Sequence, residues 1–79
     1  MTPRLEKAEY VESYKIYVSF GDGSSGTIDL RNELWGEVFE PLKEISEFKK
    51  FRLNSELNTI TWPNGADLAP EFLYEQVTA

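Results

Sequence analysis

Carboxylates outnumber the basic side chains in this sequence, with 14 Asp and Glu against 8 Lys and Arg. Glu33, Glu37, Glu40 and Glu44 recur every three or four residues, a spacing that would align their carboxylates on one face of a helix. Paired carboxylates can act as general acid and base, but such a run is far more often a solvated surface. We therefore predict no catalytic site in this segment.

The absence of two residue types excludes several kinds of catalytic and metal-binding site. The sequence contains no histidine and no cysteine. The sequence therefore lacks the residues needed for a serine triad, for imidazole catalysis, for a thiolate nucleophile and for the usual zinc sites. An enzyme that uses Asp29, Asp67 or Tyr74 is an alternative, and it would need a cleft that holds two of these groups. We expect a protein that is not an enzyme and has no metal ligands and no cofactor.

Two further segments resemble binding motifs only in composition. Residues 21–26 are rich in glycine and serine, but no lysine follows and the run joins two strand patterns, which favours a hairpin turn over a phosphate-binding loop. Residues 48–52, Phe-Lys-Lys-Phe-Arg, interleave aromatic and basic side chains as in a base-stacking surface. The net charge of −6 opposes approach to a phosphate backbone, so we do not expect direct nucleic-acid binding.

The most specific prediction of local structure comes from residues 61–71, Thr-Trp-Pro-Asn-Gly-Ala-Asp-Leu-Ala-Pro-Glu. They predict a strand end, a tight turn and a helix start in succession, because proline and glycine break regular structure and Pro70 suits a first helical turn. Asn64 and Gly65 suit left-handed turn positions, and the Asp67 carboxylate can accept backbone N–H groups near the helix. A purely structural corner is the favoured interpretation.

The same corner is also a candidate binding surface. Asn64 and Asp67 would present a polar pair beside the Trp62 ring, suited to a peptide or a basic side chain. Tryptophan is common both in cores and in binding hot spots. The core is favoured for Trp62, whereas both places stay open for Trp35, which precedes a glycine. The predicted interaction residues are Trp35, Trp62, Asn64, Gly65 and Asp67.

Three strand patterns in the first half of the chain predict an antiparallel meander. Residues 5–11 and 14–20 are joined by a turn at positions 12 and 13, and residues 24–30 form the third strand. Ile16 and Ile28 have the same parity, so they can face each other only across a loop with an odd number of residues. We predict a three-residue loop that ends in a left-handed Gly23.

The second half predicts short helical turns, a hairpin and a helix. Asn32 and Ser46 are the predicted caps of two short turns, and Pro41 argues against one long helix. A hairpin follows, with a four-residue loop at residues 55–58 and strands around residues 51–53 and 60–62. The last helix begins at Pro70 and needs an apolar stripe to dock, which we assign to Ala69, Phe72, Leu73 and Val77.

Together these patterns predict a single two-layer α+β domain over residues 1–79: an antiparallel β-meander plus a second β-hairpin, with short helical turns and a C-terminal helix. A core this small leaves room for stabilisation by a partner or by a second copy, so a homodimer is one expectation. The charged N-terminus and the absence of a long apolar run predict a soluble protein with no membrane span. The lack of cysteine fits a cytoplasmic location.

The order of several motifs resembles one bacterial family, called domain of unknown function 2442. These motifs are Phe20-x-Asp22-Gly23, Ile28-Asp29-Leu30, Val38-Phe39-x-Pro41-Leu42, Phe48 and, most specifically, residues 60–74 with Trp-Pro-Asn-Gly-Ala-Asp, Ala-Pro-Glu and Leu-Tyr. The resemblance covers nearly the whole chain. It implies a small α+β domain with a mainly antiparallel sheet, and it supplies no catalytic residues.

The resemblance also bears on function. Family members stand alone or are fused to a helix-turn-helix DNA-binding segment, and stand-alone genes often lie beside another small protein, as in toxin–antitoxin pairs. We see no helix-turn-helix pattern in this sequence, so we do not carry over DNA binding. The preferred hypothesis is a non-catalytic interaction module, an antitoxin-like acidic partner of a small basic protein. The alternative is a ligand-sensing or dimerising accessory domain in transcription regulation, with a pocket lined by Trp62, Asn64 and Asp67.

Overall fold

Five strands and two α-helices make up most of the regular structure in the computed structural model, which describes residues 2–78. The elements are β1 (Leu5–Glu12), β2 (Lys15–Phe20), β3 (Ser25–Asp29), 3₁₀ turns at Arg31–Glu33 and Glu40–Lys43, α1 (Ile45–Phe48), β4 (Arg52–Asn54), β5 (Thr59–Thr61) and α2 (Pro70–Thr78). The meander strands β1, β2 and β3 form one antiparallel sheet in that order, and β4 and β5 form a second. This is the predicted α+β architecture.

Alternation along β2 decides which face of the meander is buried. Ile16 and Phe20 are at most 2% exposed, and Ile28 opposes Ile16 in the β2–β3 pair. The last hydrogen bond before the loop joins the Phe20 N–H to the Ser24 carbonyl at 2.8 Å, so the loop consists of the three residues between them. Gly23, the last of the three, has a φ of 92°. The predicted three-residue loop with a left-handed Gly23 is confirmed.

The turn between β1 and β2 lies one residue later than predicted. Ser13 and Tyr14 form it, and Ser13 has a φ of 50°. Glu12 opposes Lys15 in the β1–β2 pair, so the chain reverses at the two residues between them. Tyr14 still faces the core as its even position predicts, because its ring packs edge-on against Phe48, with the centroids 5.4 Å apart, and its hydroxyl donates to the Lys43 carbonyl.

Both predicted caps of the short helical turns are wrong. Asn32 lies inside the 3₁₀ turn Arg31–Glu33 and Ser46 lies inside α1, and neither element has a side-chain cap hydrogen bond. At the first turn, Asp29 accepts a hydrogen bond from the Arg31 N–H at 3.0 Å instead. Such short elements have ends that are set by neighbouring packing, which a capping pattern does not detect.

The predicted loop of the second hairpin is confirmed, but its strands are shifted by one residue, so that Phe51 and Trp62 lie just outside them. Asn54 opposes Thr59, which leaves the expected four-residue loop at residues 55–58. Pro41 also has its predicted effect, since it lies in the first turn of the 3₁₀ segment Glu40–Lys43 and no long helix forms there.

Helix α2 begins at Pro70, as predicted, and packs over β3. Gly26 lets the helix come close, because a Cβ at this position would lie only 3.3 Å from the Val77 side chain. Ala69 is exposed, contrary to the predicted stripe, and the ring of Tyr74 packs edge-on against Phe20. No helix within residues 2–78 is long and apolar enough to span a membrane.

Phe48 lies at the centre of the core that joins the two sheets. It is 0% exposed, and its ring lies near four other aromatic rings, those of Tyr10, Tyr14, Phe51 and Trp62. Edge-on and tilted ring pairs of this kind add to the stabilisation from burial alone. The core therefore draws on the meander, α1 and the second hairpin together.

Candidate interaction site

Trp62, which follows β5, anchors the corner that leads to α2. Its ring is 3% exposed and lies 6.1, 5.9 and 6.3 Å from the rings of Phe39, Phe48 and Phe51. The indole Nε1–H donates to the Phe48 carbonyl at 2.8 Å. Trp62 thus takes the favoured core position, and its ring has almost no surface left to offer a partner.

Backbone hydrogen bonds close the turn after Trp62. The Gly65 N–H donates to the Trp62 carbonyl at 3.0 Å, and the Trp62 N–H donates to the Ala66 carbonyl at 2.9 Å. Gly65 has the predicted left-handed backbone, with a φ of 92°. Asn64 is not among the described residues with a positive φ, so its predicted left-handed conformation is wrong. Glycine alone supplies the unusual dihedral that reverses the chain.

The Asn64 side chain ties this turn to a second loop. Its Oδ1 accepts the Ala66 N–H at 3.1 Å, and its Nδ2 donates to the Val38 carbonyl at 2.8 Å. One partner is a donor and the other an acceptor, which matches the two ends of an amide side chain. Asn64 therefore holds residues 35–38, which we call the Trp35 loop, beside the corner.

The Trp35 loop presents apolar side chains to solvent. Trp35 is 73% exposed and Val38 is 48% exposed. The loop is nevertheless held at both ends, because Leu34 before it is 4% exposed and the ring of Phe39 after it packs edge-on against Trp62. Gly36 has a φ of 93°, which an L-residue rarely adopts. An anchored loop thus exposes one of the two tryptophans of the protein. Of the two positions left open for Trp35, core and surface, the structure shows the surface.

Carboxylates flank Trp35 in the sequence. Glu37 is exposed and Glu33 is half-buried, and neither forms an ion pair with another residue of the described part of the chain. Glu40, by contrast, lies 3.2 Å from the Lys43 ammonium. An exposed indole with a carboxylate two residues before it and another two residues after it can receive a cationic side chain, through cation–π attraction and an ion pair.

Two shallow depressions share Pro63 in their linings. Neither has Asp67 in its lining, so neither is the pocket of Trp62, Asn64 and Asp67 that the ligand-sensing alternative requires. One depression, of about 360 Å³, is lined by Pro41, Leu42, Glu47, Lys50, Pro63 and Asn64, and the other, of about 280 Å³, by Arg52, Thr61, Trp62 and Pro63.

Asp67 acts through its backbone at the corner. It forms an isolated antiparallel bridge with Thr61, and its exposed carboxylate accepts no hydrogen bond from residues 2–78, so the predicted capping role is wrong. Thr59 supports the approach to α2 instead, because its hydroxyl donates to the Leu68 carbonyl at 2.6 Å. Sequence reasoning missed this buried threonine, since nothing in its local pattern indicates a partner nine residues away.

A family model described as "Protein of unknown function (DUF2442)" matches residues 5–79. The chain belongs to this family. The matched residues include both the corner and the Trp35 loop, which agrees with the resemblance seen in the motifs. No curated protein and no solved structure matches the chain.

The ionisable groups of the enzymatic alternative do not converge in this DUF2442 chain. The Tyr74 hydroxyl donates to Asp22 Oδ2 at 2.5 Å beside the β2–β3 loop. Asp29 lies at the other end of β3, where it accepts the Arg31 N–H. Within residues 2–78, no group of three or more acidic side chains is placed to hold a metal ion. The absence of catalytic residues stays a prediction, and Tyr74 with Asp22 is the contact that these groups do form.

The Tyr74–Asp22 hydrogen bond makes the attachment of α2 dependent on pH. The Tyr74 hydroxyl, together with the Ser24 N–H, lowers the pKa of Asp22, and the same bond raises the pKa of Tyr74. The lowered pKa of Asp22 stabilises the fold at pH values above about 3.9, the pKa of aspartate in an unfolded chain, and this stabilisation is lost as pH falls through the folded pKa. The raised pKa of Tyr74 stabilises the fold at pH values below about 10, the pKa of tyrosine in an unfolded chain, and this stabilisation is lost as pH rises through the folded pKa.

In the Tyr74→Phe variant, we expect the pKa of Asp22 to rise toward its ordinary value, because its strongest hydrogen-bond donor is gone. An NMR titration of the side-chain carboxyl carbons measures this directly. Thr78→Ala is the matched control, because it changes the same helix and leaves the Tyr74 hydroxyl in place, so the pKa of Asp22 should stay lowered in it. An unchanged pKa of Asp22 in Tyr74→Phe would show that the bond is not populated in solution.

Proposed function

We propose that this DUF2442 protein is a non-catalytic interaction module that binds a small basic protein through the Trp35 loop. The observation that carries this proposal is the 73% exposure of Trp35 on a loop that is anchored at both ends. A tryptophan buries about 150–250 Å² when it is covered, at about 25 cal/mol per Å². A partner that covers this side chain gains that free energy without having to order a mobile loop first.

Charge supports a basic partner. The net charge of −6 attracts basic proteins over a distance and speeds their association. Glu33 and Glu37 bring part of this charge to either side of Trp35 in the sequence. An arginine fits such a surface well, because its guanidinium stacks on an indole and pairs with a carboxylate at the same time. The small basic protein of an antitoxin-like pair has the required chemistry.

The corner acts as the support of this surface. Trp62 and Gly65 shape the turn, and the Asn64 side chain joins the turn to the Trp35 loop by its hydrogen bond to the Val38 carbonyl. These three predicted interaction residues would therefore hold the loop in place and not contact the partner themselves. The exposed Asp67 carboxylate is the member of the corner that could contact a cation itself. We therefore expect the Asp67→Ala variant to bind less tightly while it stays folded.

The Trp35→Ala variant tests the proposal. The tagged protein is used to capture its partner from lysate of the source organism, and the purified partner is then titrated by calorimetry. We expect a loss of affinity of at least about 30-fold, the range of a hot-spot tryptophan. Leu57→Ala is the matched control, since Leu57 is 51% exposed on the β4–β5 loop. It should change the affinity by less than about twofold.

Ionic strength provides a second check on the same complex. Attraction between an acidic and a basic protein is screened by salt, so the affinity of the wild type should fall as salt is added. A captured partner with an acidic isoelectric point would contradict the proposal. So would equal affinities of the Trp35→Ala variant and the wild type for a basic partner.

A further inference from the structure

The β1–β2–β3 sheet has two edges, and the outer edge of β1 is guarded. The β1 register shifts between Leu5 and Lys7 and again between Tyr10 and Glu12. The Asn58 side chain also covers the start of the strand. Bulges and covered edges are the devices by which sheets avoid pairing with other chains.

The outer edge of β3 keeps its backbone groups free. The Phe20 N–H donates to the Ser24 carbonyl at 2.8 Å, and the Leu30 N–H donates to the Tyr14 carbonyl at 2.9 Å. Bonded pairs alternate in an antiparallel ladder, so the even-numbered residues of β3 are the ones that bond to β2. The odd-numbered residues point their N–H and C=O groups away from β2, and no described strand pairs with them there. These residues are Ser25, Thr27 and Asp29.

Strand β3 lacks the usual protection of an exposed edge. Its sequence, Ser-Gly-Thr-Ile-Asp, has no proline, lysine or arginine, and its register with β2 runs without a bulge. The one charge is Asp29 at the end of the strand, whose Oδ1 is already engaged by the Arg31 N–H. An exposed edge without a bulge or a basic side chain is a template for a further strand.

We propose that β3 pairs with β3 of a second copy of this chain, antiparallel and centred on Thr27. The two three-stranded sheets would then form one continuous sheet. In this register Thr27 opposes its own counterpart and Ser25 opposes Asp29 of the second copy, so a hydroxyl meets each carboxylate and no like charges are opposed. Each of these pairs would exchange both backbone hydrogen bonds.

The position of α2 favours a second copy over an unrelated strand. The helix packs over β3, the edge strand. A two-fold axis through Thr27 would therefore bring α2 of each copy toward the junction and add contact area to the paired strands. A domain of 79 residues has a small core and gains stability from such an association.

The salt dependence expected for this dimer is opposite to that expected for binding of a basic partner. Each copy carries a net charge of −6, so the copies repel each other and salt screens that repulsion. Dimerisation should tighten as salt is added, whereas binding of a basic partner should weaken. The dimer and the proposed interaction can therefore fail independently.

Sedimentation equilibrium of the wild type, Thr27→Pro and Thr27→Ala tests the dimer. Proline removes an N–H that β2 does not use and blocks pairing on the outer edge, whereas alanine keeps the backbone donor. We expect the wild type and Thr27→Ala to dimerise with similar affinity, and Thr27→Pro to dimerise at least about tenfold more weakly. Equal dimerisation of Thr27→Pro and the wild type would overturn the proposal, as would a wild type that stays monomeric up to about 1 mM.

Amide hydrogen exchange of the wild type decides the matter if Thr27→Pro does not fold. The Thr27 N–H should be protected at concentrations where the dimer forms and lose that protection on dilution. A dimer in which this amide exchanges freely would place the interface elsewhere and overturn the proposal. Protection that appears only when a basic protein is added would also overturn it, in favour of strand addition by that protein.

Discussion

The Trp62→Ala variant is expected to be largely unfolded at room temperature. Trp62 is 3% exposed, packs among three phenylalanine rings and satisfies the Phe48 carbonyl. Loss of a buried tryptophan costs about 3–5 kcal/mol, and the carbonyl left without a partner adds about 1 kcal/mol. Because a core of this size supplies only about 3–5 kcal/mol in total, little net stability would remain.

Urea unfolding followed by circular dichroism measures this effect. Trp35→Ala is the matched control, because it removes the same side chain from a site that is 73% exposed. It should change the free energy of unfolding by less than about 0.5 kcal/mol. Trp62→Phe keeps a ring but loses the indole N–H, so it should fall between the two. Similar losses in both alanine variants would show that the tryptophans are not divided between core and surface.

The Asn58→Ala variant is expected to lose about 2–4 kcal/mol of stability, from two lost hydrogen bonds and a strained backbone. The Asn58 Oδ1 accepts the Leu5 N–H at 2.7 Å, and its Nδ2 donates to the Pro3 carbonyl at 2.9 Å. Asn58 also has a φ of 57°, which asparagine tolerates better than alanine. One side chain thus joins the β4–β5 loop to the start of β1.

Asn58→Gly separates the two causes. Glycine accepts the left-handed backbone but makes neither hydrogen bond, so its loss should be about 1 kcal/mol smaller than that of alanine. Thermal unfolding gives the stabilities, and amide exchange at Leu5 reports whether the start of β1 has come loose. A variant Asn58→Ala with wild-type stability and a protected Leu5 amide would contradict the proposed role of this side chain.

Local patterns predicted the parts of the fold whose partners lie close along the chain. The shared parity of Ile16 and Ile28 gave both the register of β2 with β3 and the odd length of the loop between them. The missing N–H of Pro70 gave the start of α2 in the same way. These signals need only a few neighbouring residues.

Contacts with distant residues could not be predicted. The partners of the Tyr14 hydroxyl, the Asn64 side-chain Nδ2 and the Asn58 side-chain Oδ1 lie 29, 26 and 53 residues away. Each of these partners is a backbone group, which every residue possesses, so no residue type marks it in the sequence. The support of the Trp35 loop and the link between the β4–β5 loop and β1 depend on such contacts.

The two tryptophans show the same limit at the candidate site. Both lie in segments with proline or glycine nearby, and an indole is suited to a core and to an interface alike. What separates them is the set of rings around Trp62, drawn from the residues between the meander and the second hairpin. The sequence predicts that both could contact a partner, whereas burial leaves Trp35 as the accessible one.

Fluorine NMR of the protein labelled with 5-fluorotryptophan tests most directly whether the Trp35 loop is the contact surface. The two tryptophans give one resonance each, which Trp35→Ala assigns. On addition of the purified basic partner, the resonance of Trp35 should shift and lose its sensitivity to the solvent isotope, while that of Trp62 should stay nearly unchanged. A shift confined to Trp62, or no shift of Trp35 at saturation, would contradict a partner-binding role for this loop.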